Sequence, residues 1–167
     1  RTSQIATVVQ RLAALHRADG TIALHVSFGT RLPVLRVGTR RTTVATPTGV
    51  ALTVANSAIV RRLPGVRALA LTRWSVLDSA RKFLGVPYLW VGRSGYAVDC
   101  SGFTSIVDMT HGRLIPLDAN DQEQSGRYVA VGAQRRAELL FYEPVGAYTH
   151  VAFYLGSGRR LQAPQTG

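Results

Sequence analysis

The spacing of apolar residues changes early in the chain. Apolar residues recur every three or four positions from residue 4 to 18, as on one face of a helix, and Asp19-Gly20 is typical of a helix end. From Thr21 they alternate with polar residues, in short runs separated by glycine, proline and asparagine turns. The pattern predicts an N-terminal helix or linker over 1–19. Strands are predicted after it at 22–28, 32–37, 42–45, 50–54 and 58–63, which favours a small β-barrel.

The rest of the chain mixes both periods. Ser75 and Asp78 form a capping-box pattern that opens a predicted helix ending at Leu84. A second helix is predicted to run until His111-Gly112, because Phe103, Ile106, Val107 and Thr110 recur at helical spacing, and Cys100 lies at or near its first turn. Antiparallel strands are predicted at 139–142, 149–155 and 160–163. This layout is α+β. Its expected aromatic core residues are Trp74, Trp90, Phe103, Phe141 and Phe153.

Charge and aromatic content divide the chain near residue 72. Residues 1–72 contain ten arginines and one acid, Asp19, whereas the remaining residues are close to neutral within a total net charge of +11. The aromatic residues run the other way, since only Phe28 precedes residue 73. We therefore predict a basic β-barrel domain at 20–72 and a second domain at 73–167.

Length and cysteine content exclude several classes of protein. A chain of 167 residues can bury a hydrophobic core large enough to need no disulfides or bound metals for stability. The single cysteine, Cys100, excludes intrachain disulfides and sites built from several cysteines, such as zinc ribbons. No run of 18 apolar residues occurs, so no membrane span is expected, and no signal-peptide pattern is present in this chain.

Cys100 has a physical reason to be reactive, because it lies at the start of a predicted helix. Free backbone N–H groups and the helix dipole favour the thiolate there, so we expect the pKa of Cys100 to be lowered. The alternative interpretation is a small buried hydrophobic residue. Its neighbours Asp99, Ser101 and Gly102 favour the reactive interpretation, and Gly102 would allow a ligand to approach the backbone closely.

A nucleophilic cysteine needs a histidine partner within reach. His111 lies at the far end of the same predicted helix, about 16 Å away at 1.5 Å per residue. His150, at the start of a predicted strand, can fold back onto Cys100. Gln162 follows it after a hairpin turn at 156–158 and is placed to orient the imidazole.

Five stretches of the second domain form a recognisable series. They are Phe83-Leu84-Gly85-Val86-Pro87-Tyr88-Leu89-Trp90, Asp99-Cys100-Ser101-Gly102-Phe103, Ile115-Pro116 with Asp118 and Gln122, His150-Val151-Ala152-Phe153-Tyr154-Leu155-Gly156, and Leu161-Gln162-Ala163-Pro164 with Thr166-Gly167. In this order they resemble the NlpC-type family of bacterial cell-wall cysteine peptidases, over nearly all of residues 74–167. The resemblance implies a papain-like fold, in which the cysteine helix packs on an antiparallel sheet.

The resemblance also implies three catalytic roles. Cys100 would be the nucleophile and His150 the general base and acid. Gln162 would be the third catalytic residue, at a position where the family most often has histidine. No metal or organic cofactor is implied.

Three further matched residues would bind substrate. Tyr88, Asp99 and Ser101 match positions that line the substrate cleft. In members specific for a free N-terminal L-alanine, the first two help to hold its amine. Asp99 is also a favoured helix N-cap, and the two roles are compatible.

Some positions depart from the family pattern. Val91 stands where the family usually has glycine, and Ala137-Glu138 replaces the usual glycine-aspartate. Gln162 can orient a neutral imidazole but carries no charge. The family fold normally continues beyond Gly167, so either the C-terminus is truncated or this member is short.

The basic first domain resembles the bacterial Src-homology-three-like barrels that often precede this catalytic domain, over residues 29–35 and 44–49. Its charge suits anionic cell-wall polymers or phospholipid headgroups, and phosphate contacts to duplex nucleic acid stay an alternative. Phe28 is its only aromatic residue, so stacking on single-stranded nucleic acid is not expected.

These features favour a secreted or cell-wall peptidoglycan endopeptidase. The bond implied by the resemblance joins γ-D-glutamate to a diamino acid, meso-diaminopimelate or lysine, in the stem peptide. Two alternatives stay open: a wall-binding module with a degenerate peptidase site, and an acyltransferase that uses the same Cys–His pair.

Overall fold

A computed structural model describes residues 4–142 and 150–164 of the chain. The chain divides into two compact units, Arg1–Leu69 and Ala70–Gly167. The division falls three residues before the one predicted from charge and aromatic content.

Among its described residues, the first unit contains seven strands and a short 3-10 helix at Asn56–Ala58. The strands are β1 (Ile5–Val8), β2 (Leu12–His16), β3 (Ile22–Ser27), β4 (Arg31–Val37), β5 (Arg41–Ala45), β6 (Ala51–Ala55) and β7 (Ile59–Arg62). The five strands predicted after residue 20 are confirmed, each within about one residue at its start.

The helix predicted over residues 4–18 is wrong, because this segment forms β1 and β2. Val8 is fully buried at the end of β1, and Ala13 and Leu15 alternate with less buried residues along β2. The chain bends at Gln10 and Arg11 between them. The bend shifts the phase of the two-residue period, so two short strands imitate helical spacing.

The seven strands form one sheet in the order β3-β2-β6-β5-β4-β1-β7, and every pairing is antiparallel. Alternate residues of β5 and β6 point into its core, where Val44 and Val54 are fully buried. Closure of this sheet into the expected barrel stays a prediction.

Over residues 70–142 and 150–164, the second unit combines three helices with a three-stranded antiparallel sheet, which confirms the mixed α and β composition expected for it. The helices are α1 (Arg73–Arg81), α2 (Cys100–Thr110) and α3 (Ala119–Ser125), and the strands are β8 (Leu139–Tyr142), β9 (His150–Gly156) and β10 (Arg159–Leu161). The strand order is β10-β9-β8.

Helix α1 ends at Arg81 rather than at the predicted Leu84, and the helices differ from the prediction in two further respects. The hydroxyl of Thr72, not Ser75, caps α1 by accepting a hydrogen bond of 3.2 Å from the Ser75 N–H. Helix α3 was absent from the prediction, because its only buried residues are Ala119 and Gln122 and its apolar signal is weak.

The core of the second unit lies between α2 and β9. The Phe103 ring of α2 meets the Phe153 ring of β9 edge to face, with ring centroids 5.4 Å apart, and both are buried. Trp74 and Trp90, by contrast, are 63% and 62% exposed, so their assignment to the core is wrong. Within the described residues, no helix has the length and apolar character needed to cross a bilayer.

Candidate active site

One cavity of about 650 Å³ in the second unit brings together all six residues predicted to form the site. Its lining includes the predicted Tyr88, Asp99, Cys100, Ser101, His150 and Gln162, and also Trp90, Val91, Leu117, Asp118, Tyr142 and Arg160. The cavity therefore contains a thiol, an imidazole and several hydrogen-bonding groups on one surface.

Asp99 fixes the position of Cys100 at the start of α2. Its Oδ1 accepts hydrogen bonds from the Gly102 N–H at 2.6 Å and from the Ser101 hydroxyl at 3.3 Å. Its Oδ2 accepts from the Val91 N–H at 2.8 Å. One carboxylate thus caps the helix and ties it to the loop at the cavity edge.

Gly102 is needed for packing inside the protein, and the sequence-based expectation that a ligand approaches it is wrong. A Cβ atom at this position would overlap the carbonyl oxygen of Gly92. That oxygen also accepts a 2.9 Å hydrogen bond from the Asp99 N–H. The loop around Gly92 therefore lies directly against the first turn of α2.

Two of the departures from the family pattern keep a backbone conformation that favours glycine. Val91 has φ 63° and Ala137 has φ 67°, both in the left-handed region. A side chain with a Cβ is unfavourable there, most of all a β-branched one. Both residues therefore hold a backbone conformation that glycine adopts without a steric penalty.

Strand β9 brings His150 to the cysteine. The backbone N–H of Val151, the next residue, hydrogen-bonds to the Cys100 sulfur. The His150 ring meets the Tyr142 ring of β8 edge to face at 5.0 Å between centroids, because the two residues are paired across the strands. The first turn of α2 and the start of β9 thus place thiol and imidazole in one cavity.

Gln162, directly after β10, contacts the imidazole of His150. It hydrogen-bonds to the His150 side chain. Its Oε1 also accepts from the Tyr142 hydroxyl and, at 3.0 Å, from Arg160 Nε. Three side chains therefore converge on the amide of Gln162.

The electrostatics favour a neutral thiol and a neutral imidazole at rest. Burial raises the pKa of Cys100, and the Asp99 carboxylate adds to this, although the backbone N–H groups of Val151, Ser101 and Cys100 act in the opposite direction. Burial lowers the pKa of His150, whereas the hydrogen bond that the imidazole donates to Gln162 raises it, and Arg160 lowers it further. The lowered thiol pKa expected from the helix terminus is therefore wrong for the free protein.

His111 has a structural role instead. Its imidazole is fully buried at the other end of α2, where Nδ1 lies 2.6 Å from the Ala70 carbonyl and Nε2 lies 3.0 Å from the Ser79 hydroxyl. Burial lowers its pKa. The sequence argument that this histidine is too far from Cys100 agrees with its position.

Sequence reasoning missed three residues around the cavity. Tyr142 and Arg160 line the cavity. The alternation of residues in a short strand does not distinguish a residue that faces a cavity from one on the outer surface. Gln122 of α3 is buried and donates to the Ser101 carbonyl at 3.0 Å, and it accepts from the Thr104 hydroxyl at 2.8 Å. Its place in the recognised motif was the available signal.

Comparison with known proteins identifies this unit. A model of the NlpC/P60 family matches residues 85–167. The chain contains an NlpC/P60 family domain. A crystal structure of an NlpC/P60 family protein from Bacillus cereus superimposes with a TM-score of 0.90 and 28% identity, over 98% of this chain and 55% of that one.

Two curated relatives have names that specify an activity. A "gamma-D-glutamyl-L-lysine dipeptidyl-peptidase" of Bacillus subtilis is 35% identical over 93% of this chain and 52% of its own length. The "peptidoglycan endopeptidase RipB" of Mycobacterium tuberculosis is 34% identical over 61% of this chain and 47% of its own length. The chain thus spans about half the length of the curated relatives it matches.

Proposed function

We propose that this protein is a peptidoglycan endopeptidase that hydrolyses the bond between γ-D-glutamate and a diamino acid in the stem peptide. The observation that carries the proposal is the single cavity shared by Cys100, His150 and Gln162. The activities named for the Bacillus subtilis and Mycobacterium tuberculosis relatives support the same substrate.

In the proposed reaction the His150 imidazole takes the proton from the Cys100 thiol as the sulfur attacks the γ-carbonyl carbon. The backbone N–H of Cys100 donates to the oxyanion. The C–N bond breaks, His150 gives its proton to the leaving amine, and a thioester remains. Water activated by His150 then hydrolyses that thioester and frees the thiol. The neutral resting pair suits this sequence, since the imidazole is ready to accept a proton.

Asp99 and Tyr88 suit recognition of a substrate amine. A carboxylate offers about four acceptor positions, and Asp99 uses three of them on Gly102, Ser101 and Val91. No described residue donates to the remaining position, so an ammonium group can occupy it. Burial, Cys100 and Asp99 raise the pKa of Tyr88, so its hydroxyl stays neutral, and its oxygen can accept a hydrogen bond from an ammonium group.

The test is mass spectrometry of L-Ala-γ-D-Glu-diaminopimelate-D-Ala and of its lysine analogue after incubation with wild type and Cys100→Ala. Release of L-Ala-D-Glu from at least one peptide by wild type alone supports the proposal. If neither peptide is cleaved while the protein is folded and the thiol is free, the peptidase site is degenerate. Products joined to an added amine would instead indicate acyl transfer.

We also propose that the first unit binds anionic cell-wall polymers outside the cytoplasm. Eight of its arginines are exposed (Arg11, Arg17, Arg31, Arg36, Arg40, Arg41, Arg62 and Arg67). Its one acid, Asp19, accepts hydrogen bonds from the backbone N–H and the hydroxyl of Thr21. Cosedimentation of the whole chain with walls that retain or lack their anionic polymer tests this, with duplex DNA as a competitor. Salt-insensitive binding to both wall preparations would contradict it.

A further inference from the structure

Arg160 is the one permanent cation among the described residues that line the active-site cavity. The carboxylates of Asp99 and Asp118 in the same lining cap helices α2 and α3, where Asp118 accepts a 2.9 Å hydrogen bond from the Asn120 N–H. The positive charge of Arg160 therefore has no carboxylate partner among the described residues.

The orientation of the guanidinium leaves its outer edge available. Its Nε donates to Gln162, and its central carbon lies 4.9 Å from the centroid of the Tyr142 ring. No described residue accepts a hydrogen bond from its two terminal nitrogens. The planar group is thus held at two points, and its fork is available to a carboxylate.

The position of Arg160 indicates which part of a substrate it meets. Strand register places Arg160 opposite Tyr154 and Tyr142 opposite His150, so Arg160, Gln162 and the imidazole share one face of the sheet. Asp99 and Ser101 flank Cys100 at the start of α2 and so lie on the cysteine side of the cavity. Because His150 gives its proton to the leaving amine, the leaving diamino acid lies on the side of Arg160.

We infer that Arg160 selects a leaving residue whose side chain ends in a carboxylate, and so meso-diaminopimelate over lysine; this rests on the proposed function. The side chain of diaminopimelate carries a carboxylate that can pair with the guanidinium. The lysine side chain ends in an ammonium group alone, which the guanidinium repels. The Bacillus subtilis relative is named for L-lysine, so this preference would distinguish the two proteins.

The experiment compares kcat/KM for three tetrapeptides that differ only in the diamino acid: meso-diaminopimelate, its side-chain carboxamide, and L-lysine. Wild type should favour the carboxylate form about tenfold or more over each of the others, as a charge-assisted hydrogen bond implies. In Arg160→Met the three rates should fall within about threefold of one another. Arg160→Lys should restore part of the preference.

Arg159→Met is the matched control, because Arg159 is the preceding exposed residue of β10 and does not line the cavity. It should keep the wild-type preference. Disturbance of Gln162 by the Arg160 substitutions lowers all three rates together and leaves their ratio unchanged. Equal rates in wild type, or an unchanged ratio in Arg160→Met, overturn the inference. Absence of any cleavage by wild type counts against the proposed function instead.

Discussion

The backbone N–H of Val91 donates a 2.8 Å hydrogen bond to Asp99 Oδ2 while Val91 itself has φ 63°. A β-branched residue is unfavourable in this left-handed conformation. The side chain of Val91 is 77% exposed, so burial offers little in return. The strained loop is held in place by the carboxylate that caps the cysteine helix, and it forms one edge of the cavity.

Val91→Gly is therefore expected to stabilise the protein. Glycine removes the strain of the left-handed conformation, although it makes the unfolded chain more flexible, and the net gain should be about 1 kcal/mol in the free energy of unfolding. Urea denaturation measures it. The matched control is Val131→Gly, an exposed valine outside the left-handed region, which should be neutral or destabilising. Equal effects of the two substitutions would contradict the strain argument.

Gly102→Ala is expected to destabilise the second unit by about 2 kcal/mol or more, because the new Cβ overlaps backbone that cannot move independently. Helix α2 and the loop around Gly92 must then move apart. Peptide cleavage should fall with stability. Gly126→Ala is the control, since its Cβ would meet the Glu123 carbonyl oxygen at an ordinary 3.5 Å. A fully stable Gly102→Ala protein would show that this close approach is dispensable.

Some elements of the fold were predictable from the sequence and others were not, for physical reasons. The helix that starts at Cys100 was predictable because Asp99 caps it and apolar residues recur along it. Strands β1 and β2 were mistaken for a helix because a two-residue bend shifts a short alternation. Arg160 was missed because its role depends on strand register, and the raised thiol pKa was missed because burial is a tertiary property.

Arg113→Met is expected to leave a buried carboxylate without its partner. Arg113 Nη2 lies 2.7 Å from Oδ1 and 2.9 Å from Oδ2 of Asp108, whose side chain is fully buried. The free energy of unfolding at neutral pH should fall by about 2 to 3 kcal/mol. Arg127→Met, at an exposed arginine of the same unit, should change it by less than about 0.5 kcal/mol.

The pH dependence of that loss has a definite sign. Burial already raises the pKa of Asp108 despite the opposing effect of Arg113, and removal of Arg113 raises it further. A group whose folded pKa is raised favours the folded state when protonated. The loss in free energy of unfolding caused by Arg113→Met should therefore become smaller as the pH falls toward the raised pKa of Asp108. A deficit that widens in acid would contradict this account.

Substitutions of Gln162 should move the acid limb of kcat/KM in opposite directions. The hydrogen bond that His150 donates to Gln162 raises the pKa of His150, so Gln162→Ala should shift the limb to lower pH and reduce kcat about tenfold through loss of orientation. A carboxylate favours the charged imidazole, so Gln162→Glu should shift the limb to higher pH. Tyr142→Phe, which keeps the amide but removes one donor to it, should shift the limb much less. Coincident profiles would exclude a positioning role.

Alkylation of Cys100 by iodoacetamide reports the resting state of the nucleophile, because only the thiolate reacts. Burial and Asp99 raise the thiol pKa, and burial lowers that of His150, so the neutral pair should dominate near neutral pH. The rate should rise with pH through a midpoint above that of an ordinary cysteine, without an acid shoulder. Asp99→Asn removes the nearby negative charge but keeps an N-cap oxygen, so it should lower the midpoint. Fast alkylation that is independent of pH in mild acid would indicate a preformed thiolate–imidazolium pair, and the proposed transfer of the thiol proton to His150 during attack would then be wrong.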